Sequence, residues 1–127
     1  INNEFMYNLM KKSILTGHST LATIQAKNVI DSIHTIYKYD NDINWLYDPF
    51  YNKIFIHKEI IKGVRNKEFT LIEILEPDKI ILDLLKDSKF LEAKEYWINE
   101  LNGKSIKMQA NNLLRAGEIS LETYNSL

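Results

Sequence analysis

The chain has no cysteine, which excludes disulfides, thiolate metal centres and cysteine nucleophiles. That absence suits a reducing compartment, and a cytoplasmic location is the expectation. Proline and glycine are scarce, at two and four among 127 residues, so no Pro/Gly-rich linker divides the chain. Long apolar runs are missing as well, and with them any expectation of a membrane-spanning helix. The first residues show no signal-peptide pattern. Nor is there an excess of either charge. Lys and Arg number 16 against 17 Asp and Glu, for a net charge of −1, so nucleic-acid affinity could arise only from a local patch.

The motifs of common chemistries are absent too. No GxSxG, P-loop or GxGxxG occurs. The histidines, His18, His34 and His57, lack metal-ligand spacing, and His34 reads as a helical neighbour of Asp31. Glu73 and Glu76 could do acid–base work only beside a cleft and a substrate group. The expectation is therefore a protein without metal or cofactor, with a small enzyme of unrecognised motif as a lesser alternative.

What is present is an ordinary globular composition, 45% hydrophobic and 26% charged. A single domain over residues 1–127 follows, large enough to bury a core without staples. Residues 3–15 predict an amphipathic helix with Phe5, Met6, Leu9, Met10 and Ile14 inward, stopped at Gly17. A second helix is predicted over about 20–38, with Leu21, Ile24, Ile30, Ile33 and Tyr37 on one face. Further helices are predicted over about 78–86, with Pro77 in its first position, and from 87 or 88 to Leu101 around Phe90, Ala93 and Trp97. Asn102-Gly103 stops that helix; Ser105 caps one over 106–116, carrying Met108, Leu113 and Leu114 inward, and Ser120 caps a last short one.

Between the second and third helices lies "INWLYDPFYNKIFIH", residues 43–57, dense in aromatics around Asp48-Pro49. Trp45, Phe50 and Phe55 suit a core, whereas the hydroxyls of Tyr47 and Tyr51 call for water or a partner. Residues 53–62 alternate, with Ile54 and Ile56 on one side and Phe55 and His57 on the other, and 68–75 is rich in β-branched residues. A β-hairpin over about 53–75 is expected. Residues 53–67 hold five Lys/Arg against Glu59, and residues 68–78 hold four acids and no base. The basic arm and tip suggest a wing laid on DNA phosphates; the plainer reading is attraction between the two arms. The fold class is thus α+β, mostly helical, with five or six helices around a small antiparallel hairpin.

The segment "NNLLRAGEISLETYNSL", residues 111–127, carries Gly117, Ile119, Ser120, Glu122 and Tyr124 in a helix–Gly–cap–helix arrangement. It resembles the short helical hairpin called SHOCT. Thr123 stands where that family has an acidic residue, and the family's trailing basic and Leu-Leu segment is missing. The resemblance implies an interaction or oligomerisation tail within about 104–127; the alternative is a plain helical connection inside the domain.

The functional expectation is a non-enzymatic protein-interaction module, such as a phage or mobile-element accessory or inhibitor protein. Its expected partner is another protein, with nucleic acid as the alternative and a homo-oligomer compatible with either. The contact residues named by this reading are Trp45, Tyr47, Tyr51, Lys62 and Arg65.

Overall fold

Alternation along the two β-rich segments does place one face inward and one outward. A computed structural model describes residues 1–51 and 53–127; Asn52, inside the aromatic run, lies outside the described residues. Strands β1 (Phe55–Lys62) and β2 (Glu68–Leu75) pair antiparallel, from Phe55 opposite Leu75 to Lys62 opposite Glu68. Asn66 takes a left-handed backbone in the turn, and the Gly63 N–H donates to the Lys67 carbonyl. The described residues also form six α-helices, so the fold is α+β and mostly helical. They are α1 (Glu4–Leu15), α2 (Val29–Ile36), α3 (Lys79–Lys86), α4 (Phe90–Glu100), α5 (Ile106–Arg115) and α6 (Leu121–Asn125), with a 3-10 turn at Asn44–Tyr47.

Two cores share the inner face of β2. Leu75 joins Tyr7, α2, Ile43, Leu46, α3 and α4 in the larger one, while Leu71 joins Ile61, Ile106, Ala110 and Ile119 in the smaller. Between them sits Glu73, buried, on the same strand face. Its two carboxylate oxygens accept the N–H of Val29 at 3.0 Å and of Ile106 at 2.9 Å. These are the first residues of α2 and α5, whose N–H groups no turn of their own helix can satisfy. One side chain therefore caps two helices and ties both to the sheet.

The C-terminal helices belong to this body. Gly117 has a left-handed backbone after α5, the Ser120 side chain caps α6, and Ile119 is buried in the smaller core. The Val64 N–H donates to the Glu118 carbonyl at 2.9 Å, joining this turn to the hairpin tip.

Three helix expectations are corrected. The second helix starts at Val29, and residues 18–26 form no regular element, leaving Leu21 exposed. Asn28 accepts from the Asp31 N–H, and Asp31 accepts from the Lys27 N–H. This local capping overrides an apolar pattern that would have run on into the preceding turns. At α3 it is Asp78 that caps the helix, accepting from the Ile81 N–H at 2.9 Å, so Pro77 stands just before the cap. In α4 and α5, Ala93 and Trp97 are buried as expected, but Phe90 and Met108 are exposed.

Helix α1 buries only part of the stripe its pattern indicates, with Met10 and Ile14 half-buried and Met6 and Leu9 exposed. Phe5 is 73% exposed, whereas Tyr7 is fully buried. The Tyr7 hydroxyl donates to Asp40 at 2.7 Å, Lys11 donates to the same oxygen at 2.6 Å, and the Tyr7 ring stacks on Tyr39. Burial raises the Asp40 pKa, but hydrogen bonds from Lys11 and Tyr7 outweigh it, and the carboxyl titrates below its ordinary range. Burial, followed by the Asp40 bond, pushes the Tyr7 phenol up. A carboxyl with a lowered folded-state pKa adds stability above its unfolded value, near ~3.9, and loses it as pH falls through the folded value. Asp40→Asn should therefore cost about 1–2 kcal/mol at pH 7. The gap to wild type should close in chemical denaturation as pH falls through the lowered folded-state pKa of Asp40, since below it both side chains are neutral. A gap independent of pH would remove Asp40 from the acid limb.

Candidate functional site

The outward face of the hairpin is apolar where an isolated sheet would be polar. Ile56 lies opposite Ile74, Lys58 opposite Ile72 and Ile60 opposite Thr70. All six are exposed, with Ile56 at 65% and Ile74 at 56%. Ile54 continues the row before β1 begins. Scattered exposed isoleucines are unremarkable, but a contiguous set on one sheet face marks a contact surface.

The two edges of this sheet are treated differently. On β2, the Gln109 side chain donates to the Ile72 carbonyl at 2.8 Å and accepts its N–H at 3.4 Å, and the Trp97 indole donates to the Ile74 carbonyl at 3.0 Å. That edge is closed by side chains from α4 and α5. Because Ile72 and Ile74 turn their backbone groups outward, their opposite residues Lys58 and Ile56 do so on the other edge. Among the described residues no hydrogen bond reaches those backbone groups of Ile56, Lys58 or Ile60. An open edge of this kind is a template for an added strand, with Lys58 the charge that discourages indiscriminate pairing.

At the start of β1 the aromatic run and residues 17–26 enclose a cleft of about 690 Å³. Met10, Ile14, Ile36, Trp45, Leu46 and Phe55 contribute apolar walls. Its basic side chains are His18, Lys53 and His57, and none of the described lining residues is an Asp or Glu. His57 contacts Glu59 at 3.1 Å and His18 contacts the Thr16 hydroxyl at 3.1 Å. The Lys53 ammonium donates to the Asp48 carbonyl and lies 5.7 Å from the Tyr51 ring centre. Burial pulls its pKa below the ordinary lysine value, against the opposing charge of Asp48.

The residues named from sequence divide between these features. Trp45 and Tyr51 are half-buried and line the cleft; Tyr47 is exposed just beside them. Phe50, expected inside, is 82% exposed and packs edge-on against Tyr51. Lys62 and Arg65 are exposed at the far end of the hairpin, roughly 20 Å along β1 from the aromatic run. The aromatic and basic groups thus form two places, not one. Sequence reasoning placed the isoleucines on one side of β1 but passed over them as a surface, and it missed Lys53. The alternation itself carried that signal, since Phe55 and His57 on the opposite side are the half-buried ones.

Glu73 and Asp48 do not join His57 in the lining of the cleft. Glu73 is held by two backbone N–H groups, and Asp48 Oδ1 accepts the Phe50 N–H at 2.9 Å. Among the described residues no group of three His, Asp or Glu is placed to hold a metal ion, and no helix is long and apolar enough to cross a membrane.

Fold and surface together define a small α+β domain with one uncovered sheet face. No protein-family model matches the chain, and no curated protein matches it significantly. Among solved structures it is similar to the ATPase DotB of Legionella pneumophila, with a TM-score of 0.72 and 16% identity over 99% of this chain and 36% of that one. At that identity the likeness is one of fold. The chain spans little more than a third of the ATPase, and its own sequence contains no P-loop.

Proposed function

We propose that this chain is a non-enzymatic protein-contact domain whose working surface is the isoleucine face and open β1 edge of the hairpin. The observation that carries this reading is the asymmetry of the sheet. Gln109 and Trp97 close one edge, while the other has no hydrogen bond beside Ile56 and Ile60 among the described residues. A partner protein would cover the apolar face and extend the sheet from β1, main-chain hydrogen bonds giving affinity and the isoleucine row giving register. The likeness to part of an ATPase supports a role as an accessory domain that supplies contacts to a nucleotide-handling protein, in the same polypeptide or another. Without a P-loop, it would supply no nucleotide chemistry itself.

Ile56→Lys combined with Ile74→Lys should leave the fold intact, because both side chains already face solvent. Affinity capture from the native host with the wild-type domain should recover a P-loop protein, and capture with the double variant should lose it. Centrally placed apolar anchors typically cost about 2 kcal/mol or more when removed, enough for about a thirtyfold loss. Equal recovery by a variant with wild-type circular dichroism would rule this face out.

A further inference from the structure

A partly buried cation is stabilised by a counter-charge, and the cleft does not provide one from its own lining. Lys53 makes no carboxylate contact within ion-pair distance among the described residues; its ammonium is held by the Asp48 backbone carbonyl. Of the acids nearest in sequence, Asp48 offsets part of the Lys53 charge at longer range while its Oδ1 accepts the Phe50 N–H, and Glu59 contacts His57; neither lines the cleft. His18 and His57 are the other basic side chains of the lining, and no acidic side chain among the described residues lines the cleft. The lining is mixed, with Met10, Ile14, Ile36, Trp45 and Phe55 offering apolar surface and Ser19, Thr20, Thr23 and Ser32 offering hydroxyls. A volume near 690 Å³ falls within the roughly 300–1,000 Å³ that accommodates a small organic ligand.

We infer that the cleft is a binding site for a small amphipathic carboxylate, its apolar body among Trp45, Phe55 and Ile36 and its acid group on Lys53. The ligand is defined by charge complementarity. A neutral molecule of the same shape would bring no anion into a lining that has none of its own, and a cationic one would be repelled. Phe55 and His57 line the cleft from the other side of β1, while Ile54 and Ile56 of the outward face border it as well, so the Lys53 variants, which leave both isoleucines in place, separate this site from the sheet-face reading.

Dodecanoate and dodecanol, of equal chain length and each kept below its aggregation concentration, make the direct comparison. Trp45 lines the cleft while Trp97 is buried in the core, so binding should appear as a change in Trp45 fluorescence, checked in Trp45→Phe. Dodecanoate should bind about tenfold or more tighter than dodecanol, the range of one charge-assisted hydrogen bond. Lys53→Met should bring the two within about twofold, while Lys53→Arg should preserve the preference. Equal binding by the wild type, a preference that survives in Lys53→Met, or no binding of either probe up to its solubility would each overturn the site. A preference that vanishes with Lys53→Met and persists with Lys53→Arg would support it.

Discussion

Replacing Glu73 with Ala should lower the stability of the domain by about 3–5 kcal/mol, the largest loss expected from any single side chain of the hairpin. The reasoning starts from the two helix N-termini. Each opens with an N–H that lacks a partner in its own helix, and both are buried against β2. Truncation at Glu73 orphans both donors at once, at about 1–3 kcal/mol each. It also removes a carboxylate from the positive ends of two helix dipoles, a further loss of about 0.3–1 kcal/mol each. Glu73→Gln keeps one carbonyl acceptor and should cost roughly half as much. In a domain this size the Ala variant should melt about 10–20 °C below wild type, given a few degrees per kcal/mol. Glu76→Ala, at an exposed position, is the matched control. Thermal unfolding followed by circular dichroism decides the matter. A Glu73→Ala variant within about 1 kcal/mol of wild type would mean that water or a local shift satisfies both helices instead.

The second large effect concerns space. A Cβ added at Gly103 would lie 2.3 Å from the Trp97 indole, a separation that no side chain tolerates. Trp97 cannot retreat cheaply, because it is buried and its Nε1–H closes the β2 edge at the Ile74 carbonyl. Gly103→Ala should therefore cost about 2–3 kcal/mol or more and disturb the near-ultraviolet signal of that tryptophan. Trp97→Phe alone should also destabilise the domain, by lost volume and a lost hydrogen bond. In the double variant the smaller ring should absorb part of the clash, so the two costs should fall short of additive by at least about 1 kcal/mol. Strict additivity in urea unfolding would show that Gly103 acts on something other than the indole.

These two residues also show where sequence reading reaches its limit. Gly103 was legible as a helix stop, but the reason was not. Asn102 takes the left-handed backbone, with φ at 57°, and Gly103 serves to make room for Trp97. Glu73 looked like one of a pair of strand carboxylates; its partners are N–H groups 44 and 33 residues away. No local pattern reports such separations. The same holds for α1, where an apolar stripe correctly indicated a helix, yet Asp40 chose which edge of it to bury.

The sequence by itself determined the class of fold, the hairpin and its alternation, the caps at Ser105 and Ser120, and the absence of common catalytic motifs. These follow from neighbours in the chain, through backbone preference, periodicity and short-range hydrogen bonding. Tertiary structure alone decided which apolar face was left without a covering layer, and which edge of β1 and β2 stayed open. It also separated the aromatic run from the basic tip and set Lys53 in the lining of a cleft. Each of those depends on which distant groups fill the space beside a residue, and burial is a property of that packing, not of the residue's own type.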